Sequence, residues 1–464
     1  MRFSTMKRAL AGTVAAGVTL ALAACSGGGS PNSTTAAPSF DANKQYNVSV
    51  WAWEPTIQQD SNVVKAFEKQ YPNIKVAVTN SGGPSDEYTS LSNALQAGTG
   101  LPDVGQIEYY ALPQYAIGSN LADLTRFGAG DLQGKYTTGT WNSVNQTTAK
   151  GVKGVYALPV DSGPMALFYN EATFKKAGIS APPTTWDEFY QDAVKIHALG
   201  SNYYITTDSG SDAGFLTSLM WQMSPGAFKT DGQNVSVNFS DPGFAKFVET
   251  WQKLIDNHLI STSVASWSDE WFRGLGDGSI ASLPIGAWMP ANLLAHAPAA
   301  KGNFRVAPMP SLDGKPVNSE NGGSSLAIMS KSSPDTQVAA YKFLDFVSNG
   351  EGAKLRVQAG NFPSLQATLD DPSFQSSTGD YSAPDLLGYF GGQQYNQVLA
   401  QSAKAVNSGW SYLPFQVSAN SKFADTVGKA YNGSGTPLSK GLSDWADAIV
   451  ALGNGQGYKV TKVG

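Results

Sequence analysis

Apolar and polar positions alternate with period two from Tyr46 to Trp53: Tyr46, Val48, Val50 and Ala52 face one way, Asn47, Ser49, Trp51 and Trp53 the other. That alternation predicts a strand. From Asn62 the period changes. Val63, Phe67 and Tyr71 recur at i, i+4 and i+8 with Val64 beside them, which predicts an amphipathic helix stopped by Pro72. Ile74, Val76 and Val78 then alternate as a second strand. The opening is therefore strand–helix–strand, with a crossover long enough for parallel pairing.

Later helices announce their starts. Thr185 with Glu188 fits a capping box, and Trp186, Phe189, Ala193 and Ile196 share one face up to Gly200. Asp241-Pro242 is an N-cap followed by proline at the first helical position, with Phe244, Phe247, Val248, Trp251 and Ile255 as the inward stripe. Ser333-Pro334 repeats the device, with Val338, Tyr341, Leu344 and Val347 inward and Gly350 at the end. Short apolar strands are expected at Val155–Val160, Leu167–Tyr169 and Leu326–Met329. The pattern predicts an α/β fold on mostly parallel sheets. No fixed internal period is present.

Composition narrows the class. With 14% charged and 41% apolar residues, 49 Gly and 25 Pro in 464, the chain is no coiled coil, collagen or disordered polymer. The length suits two or three domains. A net charge of −5 argues against a nucleic-acid groove. The one long apolar run, Ala9–Ala24, is shorter than the ~20 residues of a membrane span. It follows Arg2, Lys7 and Arg8 and ends in Leu22-Ala23-Ala24-Cys25, so residues 1–24 read as a signal peptide. Cys25, the sole cysteine, matches a bacterial lipobox, where a diacylglycerol and palmitate anchor would hold the protein to the outer face of the cell membrane. Residues 25–45 read as a flexible tether, uncharged from Ser26 to Ser39.

Candidate chemistry lies at strand ends. Trp53 and Glu54 follow the first strand, just before Pro55 opens a helix. Glu108, Tyr109 and Tyr110 follow the strand Val104–Ile107, at the carboxyl end where α/β sheets bind ligands. Trp267 and Trp271 stand at i, i+4 on an expected helix, Trp267 as a cleft candidate and Trp271 as core. His197, His258 and His296 lack metal-ligand spacing. There is no Walker A motif and no Gly-x-Ser-x-Gly triad signature, and Gly274–Gly278 reads as a turn. No catalytic residue, metal or cofactor is expected.

Several segments in order resemble the bacterial extracellular solute-binding proteins of the sugar-binding class, which include maltose-binding protein. They are Val48–Trp53 with Phe67–Pro72 and Ile74–Val76; Leu95–Gly98 with Leu101–Val104; Leu158-Pro159-Val160 with Leu167–Asn170, Phe174–Gly178 and Pro182; Gly278–Ala281 with Gly286-Ala287-Trp288; and Asn321-Gly322-Gly323 before Phe343–Val347. The resemblance covers Tyr46 to Pro363, and the last hundred residues fit loosely.

It implies a two-lobed periplasmic-binding-protein-like (type II) fold with a cleft between lobes. The N-terminal lobe would comprise 46–160 and 322–361, and the C-terminal lobe 161–321 and 362–464, with crossings near Val160-Asp161, Asn321 and Asn361. Asp161 would take the cleft's acidic role, from a position shifted relative to better-known members. Trp288 matches the family's sugar-stacking tryptophan. Asn321 and Gly322 would approach the ligand at a crossing, and Phe362, Trp410 and Tyr412 are further candidates. The implied protein is a monomeric, lipid-anchored receptor that closes on a carbohydrate, an oligosaccharide by preference, and delivers it to an ABC permease without breaking a bond. Beside a purely adhesive or signalling lipoprotein, two rival readings differ in chemistry. A secreted glycoside hydrolase would need two carboxylates ~5–9.5 Å apart, for which Glu108 and Asp161 are the conceivable pair. The same fold with a polyamine, an iron complex or a peptide is the other.

Overall fold

The computed structural model describes residues 38–148 and 151–463. The expected signal peptide, Cys25 and most of the tether lie outside the described residues. The tether's expected end at residue 45 needs correction. Phe40 stacks on Tyr46 (5.5 Å, 21°) and meets the edge of Tyr71, so the chain is already docked there.

The strands are β1 (Tyr46–Ala52), β2 (Ile74–Asn80), β3 (Val104–Glu108), β4 (Asn145–Thr147), β5 (Lys153–Val155), β6 (Leu158–Pro159), β7 (Met165–Asn170), β8 (Phe228–Asp231), β9 (Asn234–Asn238), β10 (Ser282–Gly286), β11 (Phe304–Ala307), β12 (Ser324–Ile328) and β13 (Lys459–Val463). The alternation read in β1 places Tyr46, Val48, Val50 and Ala52 in the core. β1 pairs in parallel with β2 and β3, as the opening strand–helix–strand unit requires. The full order of that sheet is β2-β1-β3-β12-β6. Two further sheets run β10-β7-β11 and β13-β9-β8.

The sheets are not mostly parallel. Among the described strands, three pairings are parallel and six antiparallel. β6 leaves the first sheet and β12 re-enters it from the other lobe, so β12 runs against both β3 and β6. The single strand expected over Val155–Val160 is two short pieces, β5 and β6, pairing with different partners.

Two lobes follow from the cores. One core draws on residues between Tyr46 and Val160 and again between Leu326 and Val347. The other lobe holds two cores, one built from Met165–Met309 with Leu413–Val460, the other from Ala166–Val306 with Phe362–Ala403. The segments that pass between lobes lie side by side. Asn321 donates its N–H to the Gly163 carbonyl (2.7 Å), Met165 to Ser319 (2.9 Å) and Val160 to Ser324 (3.0 Å). The Ser162 hydroxyl reaches the Pro363 carbonyl (3.0 Å). Gly163 permits this contact, because a Cβ there would lie 2.3 Å from the Asn321 carbonyl oxygen.

The helix starts read from sequence form as capped turns. The Thr185 hydroxyl accepts from the Glu188 N–H (3.1 Å) while Glu188 accepts from the Thr185 N–H (3.2 Å). Trp186, Phe189, Ala193 and Ile196 are buried beneath that helix, Trp186–His197. Thr185→Ala is expected to cost ~1 kcal/mol, read as a lower urea midpoint at unchanged slope. Asp241 caps Pro242–Asp256, whose Phe244, Phe247, Trp251 and Ile255 are buried, Val248 only partly. Tyr341 is half-buried and stacks on Phe127 (5.1 Å, 18°).

Candidate functional site

The crossings set the floor of the interlobe cleft. Asp161 follows β6, and its Oδ1 accepts from the backbone N–H and the hydroxyl of Ser324. Its carbonyl accepts the Tyr109 phenol (2.5 Å). Among the described residues Oδ2 has no hydrogen-bond partner. Burial pushes the Asp161 carboxyl up to about 6; Glu54 adds to the rise and Arg356 opposes it.

Glu108 ends β3, and its carboxylate accepts the Tyr88 hydroxyl (3.1 Å). Burial raises it to about 7, with Asp161 and Asp212 contributing. Glu320 is buried, accepts the Thr140 hydroxyl (3.1 Å) on Oε1 and leaves Oε2 unpartnered; burial raises it to about 7. Asp212 comes from the other lobe, where it caps the helix Ala213–Met223. Carboxyl groups of both lobes and of the crossings thus converge, and desolvation with mutual repulsion makes them weak acids.

Beside the acids stands an aromatic pair. Trp267 is half-exposed and stacks on Trp288 (5.6 Å, 22°). Trp267 is not helical, contrary to expectation: Ser268 caps Asp269–Asp277, and Trp267 before it has φ +69°. A bulky residue in the left-handed region is strained, and such strain gathers at ligand clamps. Trp288 donates its indole N–H to the Asn321 carbonyl (2.7 Å). One face of Trp288 is covered by Trp267, so the outer surface of the stack belongs to Trp267. The Asn321 amide donates to the Ser218 hydroxyl (3.1 Å). Gly322 supplies the close approach to Trp288, at φ +79°.

A cavity of about 290 Å³ adjoins this floor and lies between the lobes. Asn142, Gln146 and Lys153 line it from the first lobe, and Trp221, Trp410 and Tyr412 face them. Trp221 and Trp410 stack (5.7 Å, 9°), and Tyr412 meets both edge-on. Tyr412 is within Coulombic reach of Glu108 and Glu320, which joins the cavity to the acids. No carboxylate lines the cavity. Amides and hydroxyls serve ligand hydroxyls, and ring faces serve C–H surfaces. A larger groove, about 950 Å³, lies between Pro242–Asp256 and residues 430–443, all from one lobe.

Three sequence candidates turn out to be supports. Glu54 is buried and ion-paired with Arg356 (2.7 Å), because its carboxylate points into the lobe rather than the cleft. Tyr109 is wholly buried, with its hydroxyl committed to Asp161. Phe362 is buried against Phe374 (6.0 Å). Trp53 is half-buried and edge-on to Tyr88 (6.4 Å), behind Glu108. Trp271 is core, as expected. Asp212, Glu320 and Trp221 were not singled out from sequence. Asp212 carries a legible cap signal, but only the fold brings it to Glu108. Among the described residues no group of His, Cys, Asp and Glu could hold a metal ion, and no helix is long and apolar enough to cross a membrane.

Residues 54–354 match the family model of bacterial extracellular solute-binding proteins, more than half of the chain. The chain belongs to this family. It is 25% identical over 298 residues to the arabinooligosaccharide-binding protein of Bacillus subtilis, covering 62% of this chain. The match spans 66% of that protein's length and 46% of Brucella abortus relatives. The lactose-binding protein of Rhizobium radiobacter is 25% identical over 85% of this chain and 90% of its own length. Among solved structures, the ABC transporter associated binding protein from B. animalis subsp. lactis Bl-04, in complex with beta-1,6-galactobiose, is 45% identical. That likeness covers 90% of this chain and all of the other, with a TM-score of 0.78. The fold is the two-lobed, maltose-binding-protein-like one.

Proposed function

We propose that this protein is the carbohydrate receptor of an ABC importer and takes a short galactosyl oligosaccharide into the cleft between its lobes. The observation that carries this reading is the interlobe cavity, lined by amides and hydroxyls of the first lobe and faced by aromatic rings of the second. Binding sites of this kind are concave and partly aromatic, with a few placed polar groups. In that cavity Trp410 offers a ring face and Asn142 an amide; Trp267, Asn321 and Asp161 belong to the floor beside it. The lobes, proposed as 46–160 with 322–361 and 161–321 with 362–464, close on the ligand about the three crossings. The closed shape is what a permease would recognise. The signal peptide and Cys25 would place the receptor, lipid-anchored, on the outer face of the cell membrane. The site is asked to bind, not to break a bond. The galactobiose-bound relative makes a galactosyl disaccharide the first ligand to try.

Calorimetric titration of residues 40–464 with β-1,6-galactobiose, lactose and an arabinooligosaccharide tests the reading. Saturable binding of one of them is expected, with a thermal shift equivalent to ~2.7 kcal/mol at a hundredfold excess over Kd. Trp410→Ala should weaken it by at least ~10-fold, the loss of one aromatic face. A folded protein that binds none of the saccharides would overturn the proposal.

A further inference from the structure

Arg356 is the largest buried cation of the described residues, 2% exposed, and no ligand-binding role falls to it in the site as drawn. It belongs to the helix Glu351–Gln358, just before the third crossing. Its Nη2 and Nε donate to the two oxygens of Glu54 (2.7 and 3.1 Å). Its Nη1 donates to the carbonyl of Val160. Asn361 (2.6 Å) and the Thr56 hydroxyl add two further donors to Glu54 Oε1. The Glu54 N–H in turn meets the side chain of Gln106 on β3 (3.1 Å). One ion pair therefore grips the end of β1, the end of β6 and the third crossing together.

Val160 is the residue before Asp161. A guanidinium fixed on that carbonyl fixes the backbone from which the Asp161 carboxylate projects. A buried ion pair is poor evidence for stability by itself, since well-packed apolar residues often serve as well. Its placement calls for another reason.

We infer that Arg356 and Glu54 form a positioning pair for Asp161, holding its carboxylate in the cleft and setting its electrostatic environment. The inference rests on the proposed function only where it takes Asp161 to be the ligand's acceptor. The charged and titratable groups around Asp161 are Glu54, Arg356, Tyr109, Glu108 and Glu320. Glu54 disfavours the ionised form and Arg356 favours it, so the two members of the pair pull in opposite directions.

That opposition gives the test. The Asp161 carboxyl is titrated by carbon-13 NMR in the ligand-free protein, with its signal assigned through Asp161→Asn. Arg356→Met should raise the midpoint by ~1 pH unit, and Glu54→Gln should lower it. Arg356→Lys should stay near the parent, because it keeps the charge. If the pair were only a brace, both variants would admit water and move Asp161 the same way, towards an ordinary aspartate. A shared direction, or no shift, overturns the inference. Should Arg356→Met fail to fold, Arg356→Gln takes its place: a raised midpoint is again expected, and a lowered one overturns the inference. Affinity for β-1,6-galactobiose across pH is the second readout, with its acid limb expected to follow the Asp161 midpoint in each variant. Absence of any saccharide binding would count against the proposed function, and the titration would still judge the pair.

Discussion

Gly323→Ala is expected to destabilise the protein by ~2–5 kcal/mol and to remove most ligand binding. Two costs add at this position. Gly323 has φ +91°, a conformation that a side chain resists. A Cβ there would also lie 2.5 Å from Cε2 and 2.8 Å from Cδ2 of the Tyr109 ring. The ring has nowhere to go: Tyr109 is wholly buried, its N–H donates to the Gly323 carbonyl (3.1 Å) and its hydroxyl holds the Asp161 carbonyl. Any retreat of the ring moves Asp161, so lost stability and lost affinity share one cause. Urea unfolding and calorimetric titration read the two effects. Tyr109→Leu should be less harmful in the Gly323→Ala background than alone, because the clash partner is gone; that coupling is a double-mutant measurement. A Gly323→Ala protein within ~0.5 kcal/mol of the parent would show that the crossing is looser than its geometry implies.

Local signals were legible in the sequence because their causes are local. The alternation in β1, the capping box at Thr185 and the proline-led helix at Asp241 each depend on residues within a few positions. The sense of strand pairing was not legible, because β12 is joined to the first sheet only after the chain has built most of the other lobe. The site divides the same way. Glu108 is legible as a candidate, a carboxylate at a strand's end, and Trp288 as a candidate by resemblance to the family. Glu54 has the same signature as Glu108, yet it turns inward because Arg356, three hundred residues later, offers a buried partner. Trp267 looked helical by spacing with Trp271, but Ser268 takes the cap and leaves Trp267 outside. Asp212 reads as an ordinary N-cap until the crossings bring its helix to Glu108. What sequence could not supply in each case was a partner distant along the chain.

Stability should fall as pH rises from about 5 to 9, and Glu87→Gln should remove much of that slope. Glu87 sits in the first turn of the helix Pro84–Ala97 and is fully buried. Its Oε2 accepts the Ser81 hydroxyl (2.6 Å), while Oε1 has no partner. Burial raises it from an ordinary 4.5 to about 8. A carboxyl with a raised folded-state pKa binds its proton more tightly in the folded chain. The stability this confers is fully present below 4.5, falls as pH climbs, and is gone once pH passes 8. At ~1.4 kcal/mol per unit, the change is on the order of 4 kcal/mol across that window. Glu108 and Glu320, each raised to about 7, and Asp161, raised to about 6, act with the same sign over narrower ranges. Glutamine at position 87 cannot ionise, and its side-chain carbonyl can still accept from Ser81. The variant should therefore match or slightly trail the parent at pH 5 and exceed it by a few kcal/mol at pH 9, in urea unfolding at a series of pH values. Equal slopes for the two proteins would mean that Glu87 ionises without penalty, which its unpartnered oxygen argues against.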